Sequence, residues 1–250
     1  MSGMHRFYAD EGGIVQGIAR LTDEDARHAL RVLRLSAGEE IELVFSSSRC
    51  LARIETADGD GVSARILSEL PSTEAKTRVT LYQGLPKADK MDLIVQKATE
   101  LGACAVRPVA MERSVVKLDG KDAAKKGERW QKIAREAVKQ CARVSAPDVL
   151  PCAKLSAIED ELRALDLLIV PWEDARDGSV REALKAVADR PDARIGVLIG
   201  PEGGISAKEA GWLREAAGAR LVTLGPRILR TETAALCALS TVMALRGELE

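Results

Sequence analysis

Strand-like and helix-like patterns alternate over the last 170 or so residues of this chain. Apolar runs such as Val79–Gln83 and Asp166–Pro171 have the length and composition of buried strands. Between such runs lie segments with one apolar face, the clearest being Glu128–Val144. This alternation predicts an α/β fold over residues 76–250, with a parallel sheet and helices on both faces. The other predicted elements are helices at Asp89–Leu101, Ser179–Ala188, Ala207–Ala217 and from about Glu232, and strands at Ala105–Met111, Arg194–Ile199 and Arg220–Leu224. Ser206 and Glu209 have the spacing of a capping box, which predicts the start of the helix at Ala207.

The first 70 residues have a different pattern, in which short runs typical of strands are separated by turn signals. Asp58–Gly61 has the composition of a hairpin turn, because Gly and Asp tolerate positive φ angles. Thr22 precedes three acidic residues and is expected to cap one helix. We therefore predict a small β-barrel over residues 1–72, followed by a linker near 71–74.

Composition limits the class of protein. The chain has 250 residues, of which 46% are hydrophobic and 30% charged, and no apolar run approaches the roughly 20 residues of a membrane span. A polar start without a signal-peptide pattern leads us to expect a cytoplasmic protein. The five cysteines are odd in number and without a CxxC pair, so we expect them to stay reduced.

Positive charge is concentrated in the middle of the sequence. The net charge is −1, but residues 76–150 contain 16 Lys or Arg and only 9 Asp or Glu. Such a segment is typical of a phosphate-binding face, and it is also typical of a solvated helix surface.

The histidine content and the missing motifs exclude several kinds of catalytic and nucleotide-binding site. The only histidines, His5 and His28, lie in the predicted barrel, so the α/β part cannot use Ser-His-Asp or Cys-His catalysis. The sequence has neither HExxH nor a Cys/His cluster, and no metal is expected. It also lacks GxxxxGK[ST], and its Gly-Pro-Glu-Gly-Gly segment differs from the dinucleotide-binding GxGxxG.

Two loops near the C-terminus remain as the candidate site. Gly200–Gly204 follows one predicted strand and Leu224–Thr233 follows another, and we expect these two strands to be neighbours. Glycines allow a ligand to approach the backbone closely, prolines stiffen both loops, and aliphatic residues lie nearby. In an open α/β sheet, ligands bind at such strand ends. The combination suits an adenine ring and a ribose without phosphates.

These loops resemble the closing motifs of the SPOUT class of S-adenosylmethionine-dependent RNA methyltransferases. The resemblance is strongest to the family that methylates uridine N3 in 16S rRNA of the small ribosomal subunit. It covers nearly the whole chain, and Arg227–Ala234 is its most specific segment. The other matching segments are Met4–Phe7, His28–Leu35, Lys97–Gly102, Glu112–Val115 and Leu198–Ser206.

This resemblance implies an N-terminal PUA-like RNA-binding barrel and a C-terminal SPOUT domain with a deep trefoil knot. It also implies S-adenosylmethionine as cofactor, 16S rRNA as partner, and a homodimer. Of the loop residues, Arg230 is the candidate cation beside the uracil oxyanion, and Glu232 is expected to orient Arg230 or to accept a proton. The expected cofactor-binding residues are Trp172, Leu198, Ile199, Gly200, Pro201, Glu202, Gly203, Gly204, Leu224, Gly225, Ile228, Leu229, Thr231, Thr233 and Ala234.

Proteins bind RNA phosphates mainly through exposed basic side chains. The expected RNA-binding residues are Arg6, Arg31 and Arg34 in the barrel, and Lys87, Lys90, Arg113, Lys132, Arg135 and Arg143 in the α/β domain. Two alternatives remain open: a SPOUT enzyme acting on another base or on a ribose 2′-hydroxyl, and a non-catalytic RNA-binding factor for ribosome assembly. An enzyme that uses an adenine cofactor for unrelated chemistry is disfavoured by the missing nucleotide motifs.

Overall fold

A computed structural model describes residues 4–9, 14–45, 48–59, 61–118 and 120–249. The chain forms two compact units, residues 1–74 and 75–250. No helix in these described ranges is long and apolar enough to cross a lipid bilayer.

The first unit is built around a five-stranded sheet in the order β1-β3-β4-β5-β2. An antiparallel bridge between Ala9 and Leu21 joins the ends of the two outer strands, so the sheet closes on itself as the predicted small barrel. The elements are β1 (Arg6–Tyr8), β2 (Ile18–Arg20), α1 (Asp23–His28), β3 (Glu40–Phe45), β4 (Ser48–Asp58) and β5 (Gly61–Glu69).

Local signals place the barrel helix correctly. The Thr22 side chain accepts a hydrogen bond from the Asp25 amide, which confirms the predicted cap. One turn of π-helix, Ala29–Leu33, continues from α1 and was not predicted. The predicted hairpin turn includes Asp60, which lies outside the described residues.

The second unit contains a parallel sheet in the order β12-β10-β11-β6-β7-β8, with β9 also paired to β7. Its strands are β6 (Arg78–Gly84), β7 (Ala105–Ala110), β8 (Asp148–Val149), β9 (Ala153–Lys154), β10 (Leu167–Pro171), β11 (Arg194–Ile199) and β12 (Arg220–Val222). Its helices are α2 (Lys90–Glu100), α3 (Gly120–Cys141), α4 (Glu159–Arg163), α5 (Val180–Leu184), α6 (Ala207–Ala216) and α7 (Thr231–Leu245).

Successive residues of the central strands point into different cores, as strand geometry requires. In β10, Leu167 and Ile169 belong to one buried cluster, which includes residues of α2, α3, α5 and α7. Leu168 and Val170 belong to a second cluster, which includes residues of α4 and α6. Both faces of the sheet are therefore covered by helices, which confirms the predicted α/β class. The knot that the resemblance implies stays a prediction.

Helix α3 begins eight residues before the predicted start at Glu128. The prediction misses its first two turns because their residues are mostly charged or small and show no apolar stripe. It ends at Cys141 rather than at Val144, and Ala142 then takes a left-handed conformation with φ 64°.

The strands that carry the two candidate loops are not neighbours, contrary to the prediction. Strand β10 pairs with β11 on one side and with β12 on the other. The order of the strands along the sequence does not reveal that β10 lies between β11 and β12 in the sheet, because β10 precedes both of them in the chain. The consequence is that three strand ends, not two, meet at the candidate site.

Arg143 is not a surface residue, and its assignment to RNA binding is corrected. Its side chain is buried, with 6% of the residue exposed. Its Nη1 donates hydrogen bonds of 2.9 Å to the carbonyl oxygens of Thr99, in the last turn of α2, and of Ala103, just after that helix. The Thr99 carbonyl also accepts from the Gly102 amide, and Arg143 adds a charged donor to it and to the Ala103 carbonyl, so its charge serves the fold.

We predict that Arg143→Gln lowers the free energy of unfolding by about 2 to 4 kcal/mol, since it removes a buried charged donor from the carbonyls of Thr99 and Ala103. Arg135→Gln on the exposed face of α3 is the matched control, with an expected change within about 0.5 kcal/mol. Urea denaturation followed by circular dichroism measures both. Unchanged stability of the Arg143 variant would contradict the structural role.

Candidate functional site

A pocket of about 470 Å³ lies at the edge of the sheet where the parallel strands end. Strand β11 leads into its first loop, β12 leads into its second, and β10 ends between them. Its lining consists of Lys90, Pro171, Trp172, Glu173, Ile199, Gly200, Pro201, Glu202, Gly203, Gly204, Ile205, Thr223, Leu224, Gly225, Pro226, Arg227, Ile228, Leu229, Arg230, Thr231 and Ala234.

The first loop, Gly200–Gly204, packs directly on the end of β6. A Cβ atom on Gly84 would lie 2.6 Å from the backbone nitrogen of Pro201, so only glycine fits there. Gly204 has φ +72°, and its amide donates to the Pro201 carbonyl to close a turn. The predicted Ser206–Glu209 capping box then starts α6. The loop is thus held at both ends.

Side chains from two other segments brace this loop. The indole Nε1 of Trp172, just after β10, donates to the Ile205 carbonyl at 3.1 Å. The guanidinium of Arg113 donates to the Gly203 carbonyl, also at 3.1 Å. These bonds satisfy loop carbonyls and leave the other side of the loop open to the pocket.

A buried chain of hydrogen bonds joins the two loops. Gln83, which is fully buried, donates from Nε2 to Thr231 Oγ1 at 2.9 Å. The Thr231 hydroxyl in turn donates to the Gly200 carbonyl at 2.7 Å. Thr231 is the first residue of α7, and its hydroxyl bonds to the first loop and does not cap the helix.

Lys90, at the start of α2, lies between two carboxylates of the site. Its Nζ is 3.1 Å from Glu202 Oε1 and 3.1 Å from Glu232 Oε2. The Lys87 amide donates to both oxygens of Glu202, at 3.0 and 3.2 Å. The ammonium therefore ties the first loop to the start of α7.

These contacts change the acidity of all three groups. Partial burial acts to raise the pKa of Glu202, but the Lys87 amide and the Lys90 ammonium outweigh it and lower that pKa. Burial likewise opposes the shift of Glu232, whose pKa is lowered by its own amide, by Lys90 and by the charge of Arg230. Hydrogen bonds to Glu232 and Glu202 raise the pKa of Lys90. Both carboxylates are therefore ionised at neutral pH.

The second loop, Leu224–Arg230, presents its backbone to the pocket. The structure shows no hydrogen-bond partner, among the residues it describes, for the amides of Ile228 and Leu229. Leu229 is half-buried, whereas Ile228 is 87% exposed. Main-chain donors beside aliphatic walls can hold a planar heterocycle through its edge and its faces.

Most of the residues expected to bind a cofactor surround this one pocket, and so does Arg230. The exceptions are Leu198, whose side chain is fully buried in the second core cluster, and Thr233, which is exposed on α7. Glu232 is outside the lining and reaches the site through Lys90. Within the described parts of the chain, no group of three or more His, Cys, Asp or Glu is placed to hold a metal ion.

Sequence reasoning missed Gln83 and the position of Lys90. A glutamine at the end of an otherwise apolar strand is a signal for a buried polar contact, but its partner is 148 residues away. The sequence predicts that Lys90 binds RNA because it shows the positive charge of this residue. It does not show the carboxylates of Glu202 and Glu232, which only the fold brings close to Lys90.

The other residues expected to contact RNA differ in their accessibility. Arg6 is paired with Glu42, and only 12% of its side chain is exposed. Arg113 is exposed and bonded to the first loop. Five side chains are simply exposed, namely those of Arg31, Arg34, Lys87, Lys132 and Arg135.

Comparison with known proteins supports a single family. The RNA methyltransferase domain matches residues 73–243, and the RNA methyltransferase PUA domain matches residues 21–67. Ribosomal RNA small subunit methyltransferase E of Bacillus subtilis (strain 168) is 36% identical over 236 residues, which cover 91% of this chain and 92% of that protein.

Solved structures agree over the whole length. Ribosomal RNA small subunit methyltransferase E of Neisseria gonorrhoeae, bound to S-adenosyl methionine, is 35% identical with a TM-score of 0.73, covering 97% of this chain and 98% of that one. A Legionella pneumophila protein in complex with the cofactor SAM is 31% identical, also with a TM-score of 0.73 and the same coverage. Sequence, fold and pocket thus lead to one conclusion: this chain belongs to the RNA methyltransferase family with a PUA domain, together with ribosomal RNA small subunit methyltransferase E.

Proposed function

We propose that this protein uses S-adenosylmethionine to methylate N3 of a uridine in 16S rRNA of the small ribosomal subunit. The observation that carries the proposal is the pocket that two Gly-Pro loops form at three parallel strand ends. Cytoplasmic location, a homodimer, the knot in the second unit and RNA binding by the barrel belong to the same proposal.

The residues present fit the cofactor. A pocket of about 470 Å³ suits a ligand of this size. Leu224, Leu229 and Ala234 offer aliphatic surface to an adenine ring, and the amides of Ile228 and Leu229 are available to its edge. Glu173 and Glu202 provide carboxylates for the ribose hydroxyls and the cationic groups of the cofactor.

When bound, S-adenosylmethionine supplies an electrophilic methyl group attached to a sulfonium sulfur. Uridine N3 carries a proton and is a weak acid, so the protein must favour the form in which N3 has lost it. The exposed guanidinium of Arg230 lines the pocket and is placed to stabilise negative charge on a uracil oxygen. Arg230 would therefore favour loss of the N3 proton, and the freed nitrogen lone pair would accept the methyl group as its bond to the sulfonium sulfur breaks.

Glu232 is better suited to positioning than to proton transfer. Its lowered pKa makes it a weak base, and an efficient general base has a pKa near the working pH. Its ion pair with Lys90 at 3.1 Å fixes the first turn of α7, from which Arg230 leads into the pocket. In this proposal Glu232 holds the start of α7, and the N3 proton passes to solvent.

The proposal is tested by tritiated methyl transfer to small ribosomal subunits that lack the modification, followed by nucleoside analysis. We expect the label in 3-methyluridine. Label in another base or in a 2′-O-methyl nucleoside would refute the N3 assignment. Cofactor binding without transfer to any RNA would refute catalysis and favour an assembly factor.

Arg230→Gln should lower the turnover of methyl transfer about 100-fold or more, because a charge developing in the transition state loses its partner. Affinity for S-adenosylmethionine, measured by calorimetry, should stay within about twofold because the loop backbone is unchanged. Arg220→Gln, at the opposite end of β12, is the control and should match wild type. A loss of cofactor affinity with normal turnover would mean that Arg230 holds the cofactor instead.

Lys90→Met should weaken S-adenosylmethionine binding about tenfold, because Glu202 and Glu232 then repel each other and separate the loops. Lys87→Met is the matched control, since Lys87 holds Glu202 through its backbone amide alone. Adding Glu232→Gln to Lys90→Met should recover much of the affinity. If the double variant binds no better than the single one, the repulsion argument is wrong.

A further inference from the structure

Ile228 is the most exposed large apolar side chain that the structure describes. It is 87% exposed, whereas the next values, for Val15 and Val115, are 66%. It lies in the second loop at the wall of the pocket, between the rigid Pro226 and helix α7. Its neighbour Leu229 lines the same pocket but is half-buried, so Ile228 is the aliphatic residue that the loop exposes most.

Two guanidinium groups flank Ile228. Arg227 and Arg230 are both exposed, and both line the mouth of the same pocket. Neither forms a salt bridge or a side-chain hydrogen bond with another residue in the described ranges. Arg230 influences the pKa of Glu232 through its charge, but Arg227 has no resolved role within the chain.

An apolar side chain between two cations that form no salt bridge within the described residues is matched by a nucleotide with its phosphates. A nucleobase offers a flat apolar face, and the phosphates on either side carry the negative charge that guanidinium groups bind in a bidentate manner. A protein partner would have to bury both cations against acidic side chains. The family is one of RNA methyltransferases, and the target base must reach this mouth to meet the methyl donor.

We infer that Arg227 and Ile228 form the docking surface for the target nucleotide: the uracil face packs on Ile228, and Arg227 binds an adjacent phosphate. Ile228 then contacts the RNA through its side chain, while its backbone amide faces the cofactor. The inference rests on the proposed function and adds to it two residues that select the substrate.

The test uses the purified full-length protein and small ribosomal subunits that lack the modification. Ile228→Ser should raise KM for the subunit about tenfold, because it removes the apolar contact with the base. Ile228→Val keeps that contact and should stay within about twofold of wild type. Arg227→Gln should weaken RNA binding. It should also reduce the slope of log affinity against log salt concentration by about 1, the change expected when one phosphate contact is lost. The Kd for S-adenosylmethionine should stay unchanged in all three variants.

Each other outcome overturns the inference. If Ile228→Ser weakens S-adenosylmethionine binding as much as it raises KM, Ile228 is a wall of the cofactor pocket. If the variants alter the oligomeric mass in sedimentation while RNA affinity stays normal, the loop docks another copy of the chain. Unchanged RNA affinity and salt slope would remove both residues from substrate binding.

RNA affinity is measured without the cofactor, so failure of the proposed function can be recognised separately. Wild-type protein that transfers no methyl group to any RNA would refute the proposed activity. The salt slopes of wild type and Arg227→Gln would still decide whether this loop contacts RNA.

Discussion

The hydrogen-bond chain from Gln83 through Thr231 to the Gly200 carbonyl joins parts of the protein that are far apart in sequence. Thr231 donates one bond and accepts one, so its buried hydroxyl is satisfied as a donor and still links β6, the first loop and α7. The Thr231 hydroxyl thus connects the first loop directly to the start of α7, where the second loop ends. The pocket depends on this link, because Gly200 begins the first loop, Thr231 follows the second loop, and both residues line the pocket.

Electrostatic interactions add a second connection between the first loop and α7, beside the buried hydrogen bonds. Lys90 bridges Glu202 and Glu232. The pKa of Lys90 is raised and the pKa values of both glutamates are lowered, so all three groups favour their charged forms. A site held partly by opposite charges keeps its shape while leaving the backbone of both loops available for a ligand. Arg227 and Arg230 carry charge that no salt bridge in the described chain neutralises, and this charge is what an anionic polymer would meet first.

Much of this arrangement was predictable from particular residues. The strand–helix alternation predicts the α/β class, and glycine and proline mark both loops. Thr22 and the Ser206–Glu209 pair predict two helix starts correctly, because capping depends on neighbours within four residues. The first two turns of α3 escaped prediction, since a solvated helical surface carries no apolar period.

By itself, the sequence determined most of the longer strands and helices and where the backbone can bend, because these depend on local periodicity, caps and turn residues. Tertiary structure alone decided that β10 separates β11 from β12, that Lys90 lies between two carboxylates, and that Arg143 is buried against α2. The physical reason is distance along the chain: these contacts join residues tens to more than a hundred positions apart. Strand order and charge pairing at that range follow from how the whole sheet and its helices pack.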